Sequence, residues 1–478
     1  MNGDGDFGLL SPVSASPLVA ALTGDHAVVA AILAVEAAWA SVLEDAGLVP
    51  PGSAAVVAHA ADPARYSVAD IAERAQGGGN PVIPLLAELR KNVKAADAGR
   101  AGGPVGANAA VHTSLTSQDV LDTALMLVAR NVKDALLAEA KGTTTALAAL
   151  AGQHADTLCV GRSLTQHALP YTFGLRAAQW FHGVASAATR LGLLELPVQF
   201  GGAGGTLASA TVLTGGSLVD PFELADALAA KLGLAPAPAP WHTNRLAITA
   251  LGDAVAALTD SLGKIAADVL FLSRPEVGEI GEPLATGRGV SSAMPQKQNP
   301  VLSVLVRSAA LQVPGHAAQL HLAAANFNDE RPDGAWHSEW PALRELLRLA
   351  LGAATQLREL AEGLRVFPDA MRRNLDISGP LLLSEKVVAS LAPLLGSDGK
   401  QQLQGVVDET LQAPAAEQSW SYRKLLRATV PADKLSDAEL DDLLDPARYL
   451  GEAARISQRI LAAYPNYAHT DSKGAERG

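Results

Sequence analysis

The stretch Gly289-Val-Ser-Ser-Ala-Met-Pro-Gln-Lys-Gln-Asn-Pro300 joins a Gly-containing loop, two serines, a lysine and a helix start within twelve residues. Asn299 suits an N-cap and Pro300 suits the first helical position, so the apolar run that follows is expected to begin a helix. The positive end of that helix would face the loop and favour an anionic substrate. A serine alkoxide beside Lys297 would be stabilised there, and loop closure would exclude water. The stretch therefore predicts an anion site that contains a base.

The composition narrows the class of protein. With 478 residues, the chain is long enough for two or three domains with a large buried core. A hydrophobic content of 49% with only 4% aromatic residues, much of it alanine, favours closely packed helices over β-sheet. The formal net charge of −12 argues against nucleic acid as a partner, because no basic stripe is available to meet phosphates. Positive groups are therefore expected only locally, at a site.

Cysteine, histidine and terminal patterns bear on compartment and cofactors. The one cysteine, Cys159, rules out an intramolecular disulfide, suits a reducing cytoplasm and is expected to pack in the core. The first residues show no signal-peptide pattern, and no apolar run reaches the ~20 residues of a membrane span. The eleven histidines form no paired ligand motif. These patterns predict a cytoplasmic protein with no membrane partner, no metal and no cofactor.

Apolar periodicity predicts several long helices. Residues 251 to 272 carry apolar side chains spaced alternately by four and three residues, at Leu251, Val255, Leu258, Leu262, Ile265, Val269 and Leu272. A second helix should start after Thr116-Ser117, with one apolar face at Leu121, Leu125, Val128, Val132 and Leu136. A third is expected from about Pro341 to Leu364, bounded by Phe367-Pro368. Such stripes are typical of a helical bundle, so an all-α fold is predicted.

Breaker-rich segments separate these helices and suggest three helical domains. We expect an N-terminal domain at 1–110, a central long-helix bundle at 111–365 with the catalytic loop at 278–300, and a small C-terminal domain at 366–478. Loops at the ends of rigid helices are where site residues are expected.

The loop pattern Ser-Ser-x-Met-Pro-x-Lys-x-Asn-Pro resembles the flexible-loop motif of the fumarase/aspartase superfamily of lyases. The resemblance implies that Ser291 is the catalytic base and that Lys297 acts with it. It also implies substrate contacts from Ser292, Met294 and Asn299.

Three further segments extend the resemblance: 111–119, 161–170 and Pro240-Trp-His-Thr-Asn-Arg245. Val111 to Asp119 looks like the family's Thr-Ser-x-Asp helix start, so Thr116 and Ser117 are expected to hold a substrate carboxylate, although Ser117 also suits an ordinary N-cap. Gly161 to Pro170 occupies the place of the family's Arg-Thr-His-x-Gln-x-Ala-x-Pro segment. The remaining expected site residues are Arg162 and Gln166 as substrate contacts, Arg245 as a bidentate carboxylate clamp, and His112 and His167 as further candidates.

The stretch Asp329 to Trp340 resembles one branch of the superfamily, the bacterial 3-carboxy-cis,cis-muconate cycloisomerases, and the resemblance runs from Leu9 to about Leu395. It implies an all-α fold whose central long helices associate into a homotetrameric helical core. Active sites in such an assembly are built from three subunits. The heptad seam at 251 to 272 is consistent with this assembly but does not establish it.

Departures from the family pattern narrow the chemistry. Leu164 stands where fumarases and adenylosuccinate lyases place a histidine as general acid. An amine or alkoxide must be protonated as it leaves, whereas nitrite or a carboxylate need not be. The loop also carries Val290, Gln296 and Gln298 where the cycloisomerase pattern has glycine, histidine and arginine. Losing the arginine favours a smaller, dianionic substrate.

The leading hypothesis is a lyase of secondary-metabolite (antibiotic) biosynthesis. Ser291 would form a carboxylate-stabilised carbanion on a substituted succinate, and nitrosuccinate would yield fumarate and nitrite. The alternative is 3-carboxy-cis,cis-muconate cycloisomerisation, a lactonisation in aromatic catabolism. An adenylosuccinate-type lyase is disfavoured by Leu164, and an inactive structural homologue by retention of the polar loop. The expected partners are a small anionic dicarboxylate and three further copies of the chain.

Overall fold

The computed structural model describes residues 8–290, 293–294 and 296–468, with 415–416 described by their backbone alone. In chain order the helices are α1 (Pro17–Thr23), α2 (Asp25–Asp45), α3 (Ser53–Ala60), α4 (Val68–Gly78), α5 (Val82–Ala98), α6 (Ser117–Gln153), α7 (Phe173–Gly192), α8 (Ala208–Thr214), α9 (Pro221–Leu232), α10 (Leu246–Leu272), α11 (Val301–Ala324), α12 (Gly334–Glu362), α13 (Pro368–Ser378), α14 (Ser384–Leu395), α15 (Gly399–Gln412), α16 (Ala415–Thr429), α17 (Asp437–Leu443), α18 (Ala453–Ala463) and α19 (Pro465–Ala468). The mostly helical architecture confirms the expected fold class.

The chain divides into two compact units. Unit 1 consists of Met1–Glu139, Ala187–Gly263 and Leu305–Gln356, and unit 2 consists of Ala140–Ser186, Lys264–Val304 and Leu357–Gly478. The longest helices supply residues to both units, because the boundaries fall inside them. The division into three domains at 1–110, 111–365 and 366–478 stays a prediction.

The apolar seams predicted from spacing are buried. All seven seam residues of α10, from Leu251 to Leu272, are at most 2% exposed. The five residues of the α6 face, from Leu121 to Leu136, are at most 7% exposed. The first turns of α6 also bury four polar side chains completely, at Gln118, Asp119, Asp122 and Thr123. Buried polar groups need hydrogen-bond partners, so this end of α6 organises its surroundings.

Helix α12 begins seven residues earlier than the sequence suggested, at Gly334 instead of Pro341. Pro341 lacks an amide proton and normally marks a helix start. Here the preceding turns are fixed from outside the helix, because the indole of Trp336 donates to Asp122 Oδ1 at 2.9 Å. The long-range hydrogen bond outweighs the local signal.

Two short antiparallel pairs, β1 (Leu158–Ser163) with β2 (Gln166–Thr172) and β3 (Ile280–Gly281) with β4 (Arg365–Val366), interrupt the helices of unit 2. The β1–β2 hairpin turns at Leu164 and Thr165, which have φ angles of 48° and 72°. Two central residues with positive φ are typical of a type I′ turn, which glycine and asparagine usually occupy. The turn therefore holds two ordinary residues in a strained conformation.

The last part of unit 2 has its own apolar cluster. It is formed by residues of α14 to α17 and their flanking turns, including Leu391, Leu403, Tyr422, Leu426 and Leu440. The described C-terminal residues are thus largely helical and share apolar contacts of their own.

Two stretches, Pro17–Asp45 and Pro368–Leu395, are apolar and long enough to pass a composition test for a membrane span. Each is divided into separate helices, with breaks at Gly24 and Gly379. A core helix of a globular protein passes the same test, so the two stretches are weak evidence for membrane insertion.

Candidate active site

The loop from Gly289 to Asn299 is closed at its base by hydrogen bonds. The backbone N–H of Asn299 donates to the Gly289 carbonyl at 2.9 Å, and its side-chain amide donates to the same oxygen at 3.1 Å. Gln298 donates to the Arg288 carbonyl at 2.9 Å. Gly289 has a φ of +67°, and a Cβ there would lie 2.4 Å from the Asn299 carbonyl oxygen, so only glycine fits. Asn299 and Gln298 thus hold the loop ends together.

The loop residues that are expected to take part in the reaction stand between Gly289 and Asn299 in the sequence. Ser291 and Ser292, the expected base and its neighbour, lie outside the described residues. Lys297 is exposed, and its backbone N–H donates to the Met294 carbonyl at 3.0 Å. Met294 is 44% exposed. The ammonium and the thioether are therefore both accessible to a ligand.

The expectation that the start of α11 binds a substrate anion needs correction. Glu282, only 7% exposed, receives the backbone N–H groups of Leu302 at 3.1 Å and Ser303 at 2.7 Å. The Ser303 hydroxyl donates to the same carboxylate at 2.6 Å. The protein's own carboxylate thus occupies the positive end of the helix dipole. The helix begins at Val301, one residue later than predicted; the Asn299 side chain bonds to Gly289 instead of capping the helix, and the anion at the helix start is Glu282.

In unit 1, the segment 112–114 before α6 has a strained backbone and forms hydrogen bonds with the buried carboxylate of Glu36. His112 and Ser114 have positive φ angles of 61° and 65°. Glu36, fully buried in α2, accepts from the His112 amide at 2.9 Å and lies 2.8 Å from the His112 ring Nδ1. Such conformations persist only where the surroundings impose them. The contact with Glu36 orients the His112 ring and leaves its Nε2 for other partners.

Thr116 and Arg331 lie together at the start of α6. The helix begins at Ser117, so Thr116 occupies the capping position, and its amide donates to Asp119 Oδ2 at 2.9 Å. The Arg331 guanidinium donates to the Thr116 hydroxyl at 2.7 Å. A half-buried guanidinium at a helix N-terminus is a suitable place for a carboxylate. Sequence reasoning quoted the segment that contains Arg331 but did not select the residue.

Asp119 joins three parts of unit 1. Besides Thr116, its carboxylate accepts from the amides of Gly201 at 3.0 Å and Gly202 at 2.9 Å, and it lies 2.8 Å from Nε2 of His242. A Cβ on Gly201 would lie 2.9 Å from the His242 ring, so the glycine is needed for this approach. Nδ1 of His242 is buried and has no partner among the described residues. Neither His242 nor the role of Asp119 was anticipated.

Arg245 is buried and paired with two protein carboxylates. Its guanidinium donates to Asp122 at 2.7 and 3.0 Å and to Glu339 at 3.0 Å, with a further contact to Glu339 Oε1. The rings of Trp241 and Phe327 lie 4.7 and 5.0 Å from it. Burial alone would lower the Arg245 pKa, but the two carboxylates outweigh it and raise it. The expected carboxylate clamp is thus directed to protein carboxylates, which favours a structural role.

Arg162, in unit 2, is likewise paired with a buried protein carboxylate. It donates to Glu279 at 2.6 and 3.3 Å, and Glu279 is fully buried. Asn374 donates to the same carboxylate at 2.9 Å. A guanidinium that already donates two hydrogen bonds to a buried carboxylate has few N–H donors left for a substrate. Glu279 and Glu282 lie in the first part of the segment 278–300, before Gly289, and their acidic spacing was the overlooked signal.

Two further expected site residues, Gln166 and His167, lie on strand β2 of the hairpin. Gln166 is exposed beside the turn. His167 is half-buried, and its Nδ1 lies 3.0 Å from the Ser378 hydroxyl. Burial, together with the charge of Arg162, lowers the pKa of His167, so its ring is neutral at pH 7. Leu164 at the tip is 94% exposed.

Cys159 and the possible metal ligands are the remaining candidates for chemistry in the described part of the chain. Cys159 is fully buried, and burial raises the pKa of its thiol to about 11, which suits a core residue and not a nucleophile. Among residues 8–290, 293–294 and 296–468, no group of three His, Cys, Asp or Glu side chains could hold a metal ion.

Comparison with known proteins is consistent across the chain. Residues 16–315 match a protein family described as lyase. The chain is 45% identical to the nitrosuccinate lyase of Streptomyces davaonensis over 460 residues, which cover 95% of this chain and 94% of that protein. It is 37% identical to the 3-carboxy-cis,cis-muconate cycloisomerase of Bradyrhizobium diazoefficiens, with 95% and 97% covered.

A solved structure agrees with these sequence matches. The crystal structure of the 3-carboxy-cis,cis-muconate lactonizing enzyme from Pseudomonas putida superposes with a TM-score of 0.84 at 34% identity. The match covers 97% of this chain and 100% of that one.

The structural role of Arg245 can be tested by removing its charge. Arg245→Met is expected to lower the free energy of unfolding by about 3–5 kcal/mol, because it leaves the buried carboxylates of Asp122 and Glu339 unpaired. Arg423→Met is the matched control, since its ion pair with Asp441 is exposed to solvent and its loss should change the stability little. Urea denaturation measures both. If Arg245→Met left the stability unchanged but abolished substrate binding, the structural role would be wrong and Arg245 would be a substrate carboxylate clamp.

Proposed function

Because the chain belongs to the fumarase/aspartase superfamily of lyases, we propose that it eliminates nitrite from nitrosuccinate to give fumarate. Ser291 acts as the base in this proposal, and no cofactor takes part. The reaction belongs to secondary-metabolite biosynthesis in the cytoplasm.

The observation that carries the proposal concerns the turn end of the β1–β2 hairpin, where neither Leu164 nor His167 is a ready proton donor. Leu164 at its tip has no titratable group, and His167 is neutral at pH 7 because its pKa is lowered. Its ring also lies against Ser378 instead of the tip. A leaving group that departs as a stable anion needs no donor, and nitrite is such a group. Amines and water as leaving groups fit this hairpin poorly.

The comparisons support this substrate over the alternatives. The relative named nitrosuccinate lyase is 45% identical, against 37% for the relative named a muconate cycloisomerase. The uncharged Gln298, whose amide is used at the loop base, also fits a substrate with fewer negative charges than a tricarboxylate.

The proposed reaction needs one catalytic base and no catalytic acid. Ser291 takes a proton from the CH₂ carbon of nitrosuccinate, and the electron pair becomes the C=C bond of fumarate as the C–N bond breaks. Nitrite leaves with the bonding electrons, and Ser291 returns its proton to water. Lys297 stabilises the charge that develops on the carboxylate next to the carbanion.

Each unit offers groups that suit a carboxylate. Within unit 1, Thr116, Ser117 and Arg331 provide a helix N-terminus and a guanidinium. Within unit 2, Lys297 and Gln166 provide an exposed ammonium and an exposed amide. The contacts expected from Ser292, Met294 and Asn299, and roles for His112 or His167, stay predictions, whereas Arg162 and Arg245 are assigned to the scaffold.

The second candidate is 3-carboxy-cis,cis-muconate cycloisomerisation. It is favoured by the superposition on the Pseudomonas putida lactonizing enzyme over the whole of that chain. The same base and carboxylate contacts would serve both reactions, because a shared fold does not fix the substrate. The two reactions are therefore distinguished by assaying both substrates.

We further propose a homotetramer whose active sites use more than one subunit. Helix α11 supports it, because Val304, Leu311 and Leu322 are 49%, 72% and 60% exposed. Their spacings of seven and eleven residues place them on one helical face. An apolar stripe of this kind marks an interaction surface.

The base is tested with a matched pair of serine variants. Ser291→Ala should lower turnover by about 10²–10⁴-fold, because it removes the proton acceptor. Ser292→Ala, with the same loss of a hydroxyl one residue away, should be much milder. Steady-state assays with circular dichroism as a folding check compare them. Normal turnover in Ser291→Ala would sink the mechanism.

The substrate is tested by two assays on one preparation. Nitrite release from synthetic nitrosuccinate and lactone formation from carboxymuconate are measured side by side. We expect nitrite with little lactone, and we expect His167→Asn to retain most of the nitrite release, since nitrite departs unprotonated. Robust lactone formation without nitrite would replace the leading substrate by the cycloisomerase substrate.

The assembly is tested by light scattering after size-exclusion chromatography. The wild-type chain should run as a tetramer, and Leu311→Asp should dissociate it because a charge enters the apolar stripe. Leu218→Asp, on a fully exposed leucine outside α11, is the control and should remain tetrameric. A fully active wild-type monomer would contradict the proposal.

A further inference from the structure

Unit 2 contains a cavity that the proposed reaction does not use. It has a volume of about 570 Å³ and lies between the β1–β2 hairpin, α7 and the end of α10. The residues that matter for its chemistry are Arg162, Tyr171, Arg176, Gln179, Lys264 and Asp268. None of them belongs to the catalytic loop, and Arg162 is already paired with Glu279.

The charges around the cavity do not cancel. Three cations, Arg162, Arg176 and Lys264, face two carboxylates, Asp268 in the lining and Glu279 beneath it. One positive charge is therefore in excess in this group. The nearest approach of Arg176 to Glu279 is 3.9 Å, whereas Arg162 takes the short bidentate contact. Arg176 is thus the less neutralised guanidinium.

Two aromatic rings hold the guanidiniums in place. Arg176 lies 5.8 Å from the ring centre of Tyr171, and Arg162 lies 5.4 Å from that of Phe271. A second contact fixes Arg176, which donates to the Val160 carbonyl at 3.1 Å. Guanidiniums held in this way lose little freedom on binding an anion. Burial raises the Tyr171 pKa, so its hydroxyl stays protonated and able to donate.

The open side of the cavity carries two accessible polar groups. Lys264 is 62% exposed in its side chain and pairs with Asp268, which also accepts from the Trp180 indole at 2.7 Å. Gln179 is exposed on α7, one helical turn beyond Arg176. An ammonium, an amide and a partly neutralised guanidinium are typical ligands of an oxyanion.

We propose that this cavity is a second anion-binding site, distinct from the reaction site, that takes a small molecule carrying a carboxylate or phosphate group. Arg176 supplies the main charge, Lys264 and Gln179 close over the anion, and Arg162 with Glu279 forms the floor. The inference does not depend on which substrate the enzyme turns over.

The test changes only the exposed residue at the opening. Isothermal titration with succinate, and separately with inorganic phosphate, is run on wild type, Gln179→Glu and Gln179→Lys. A carboxylate at position 179 should weaken binding by roughly three- to tenfold, and an ammonium should tighten it by a similar factor. Gln402→Glu is the control, because it makes the same charge change on an exposed residue of α15.

Opposite shifts in the two Gln179 variants, with no shift in Gln402→Glu, support the site for whichever probe shows them. No saturable binding of either probe to wild type, or equal affinity in all four proteins, would overturn it. The KM for nitrosuccinate or carboxymuconate should stay unchanged in the Gln179 variants. A KM that moves together with anion affinity would also overturn the proposal, because the anion would then occupy the reaction site.

Discussion

The buried carboxylate of Asp119 accepts hydrogen bonds from three segments of unit 1: the start of α6, the glycine pair at 201–202, and His242. A fully buried carboxylate is costly to desolvate unless each lone pair finds a donor. Meeting that demand fixes the α6 N-terminus against the glycine loop, and with it the position of Thr116. The carboxylate-binding end proposed for unit 1 depends on this arrangement, since Arg331 reaches it through the Thr116 hydroxyl.

The same kind of pairing recurs and limits what a substrate can meet. Glu282 occupies the start of α11, Glu279 takes Arg162, and Asp122 with Glu339 takes Arg245. Of the expected binding segments, Lys297 and Arg331 are the cations without a carboxylate partner in the described part of the chain. The other two expected cations, Arg162 and Arg245, are neutralised by protein carboxylates and belong to the scaffold.

Local periodicity predicted the bundle well, because the α6 and α10 seams are properties of consecutive turns. It failed where distant residues decide. Arg245 and Glu339 are 94 residues apart in the sequence, so a pattern of neighbours could not show that the expected clamp is already occupied. The start of α12 was placed late because Trp336 is held by Asp122, a contact across 214 residues. Motif resemblance named the loop residues, but Asp119, Glu279, Glu282 and Arg331 emerged only from the hydrogen bonds they make.

The central proposal is that a serine base breaks a C–H bond next to a carboxylate so that nitrite can leave. The most direct measurement is a single-turnover rate with nitrosuccinate deuterated at its CH₂ carbon, compared with unlabelled substrate. The account predicts a slower single turnover with the deuterated compound, because the labelled bond is broken in the chemical step. Equal rates for both compounds, with nitrite still released, would contradict proton abstraction as the step that the loop performs.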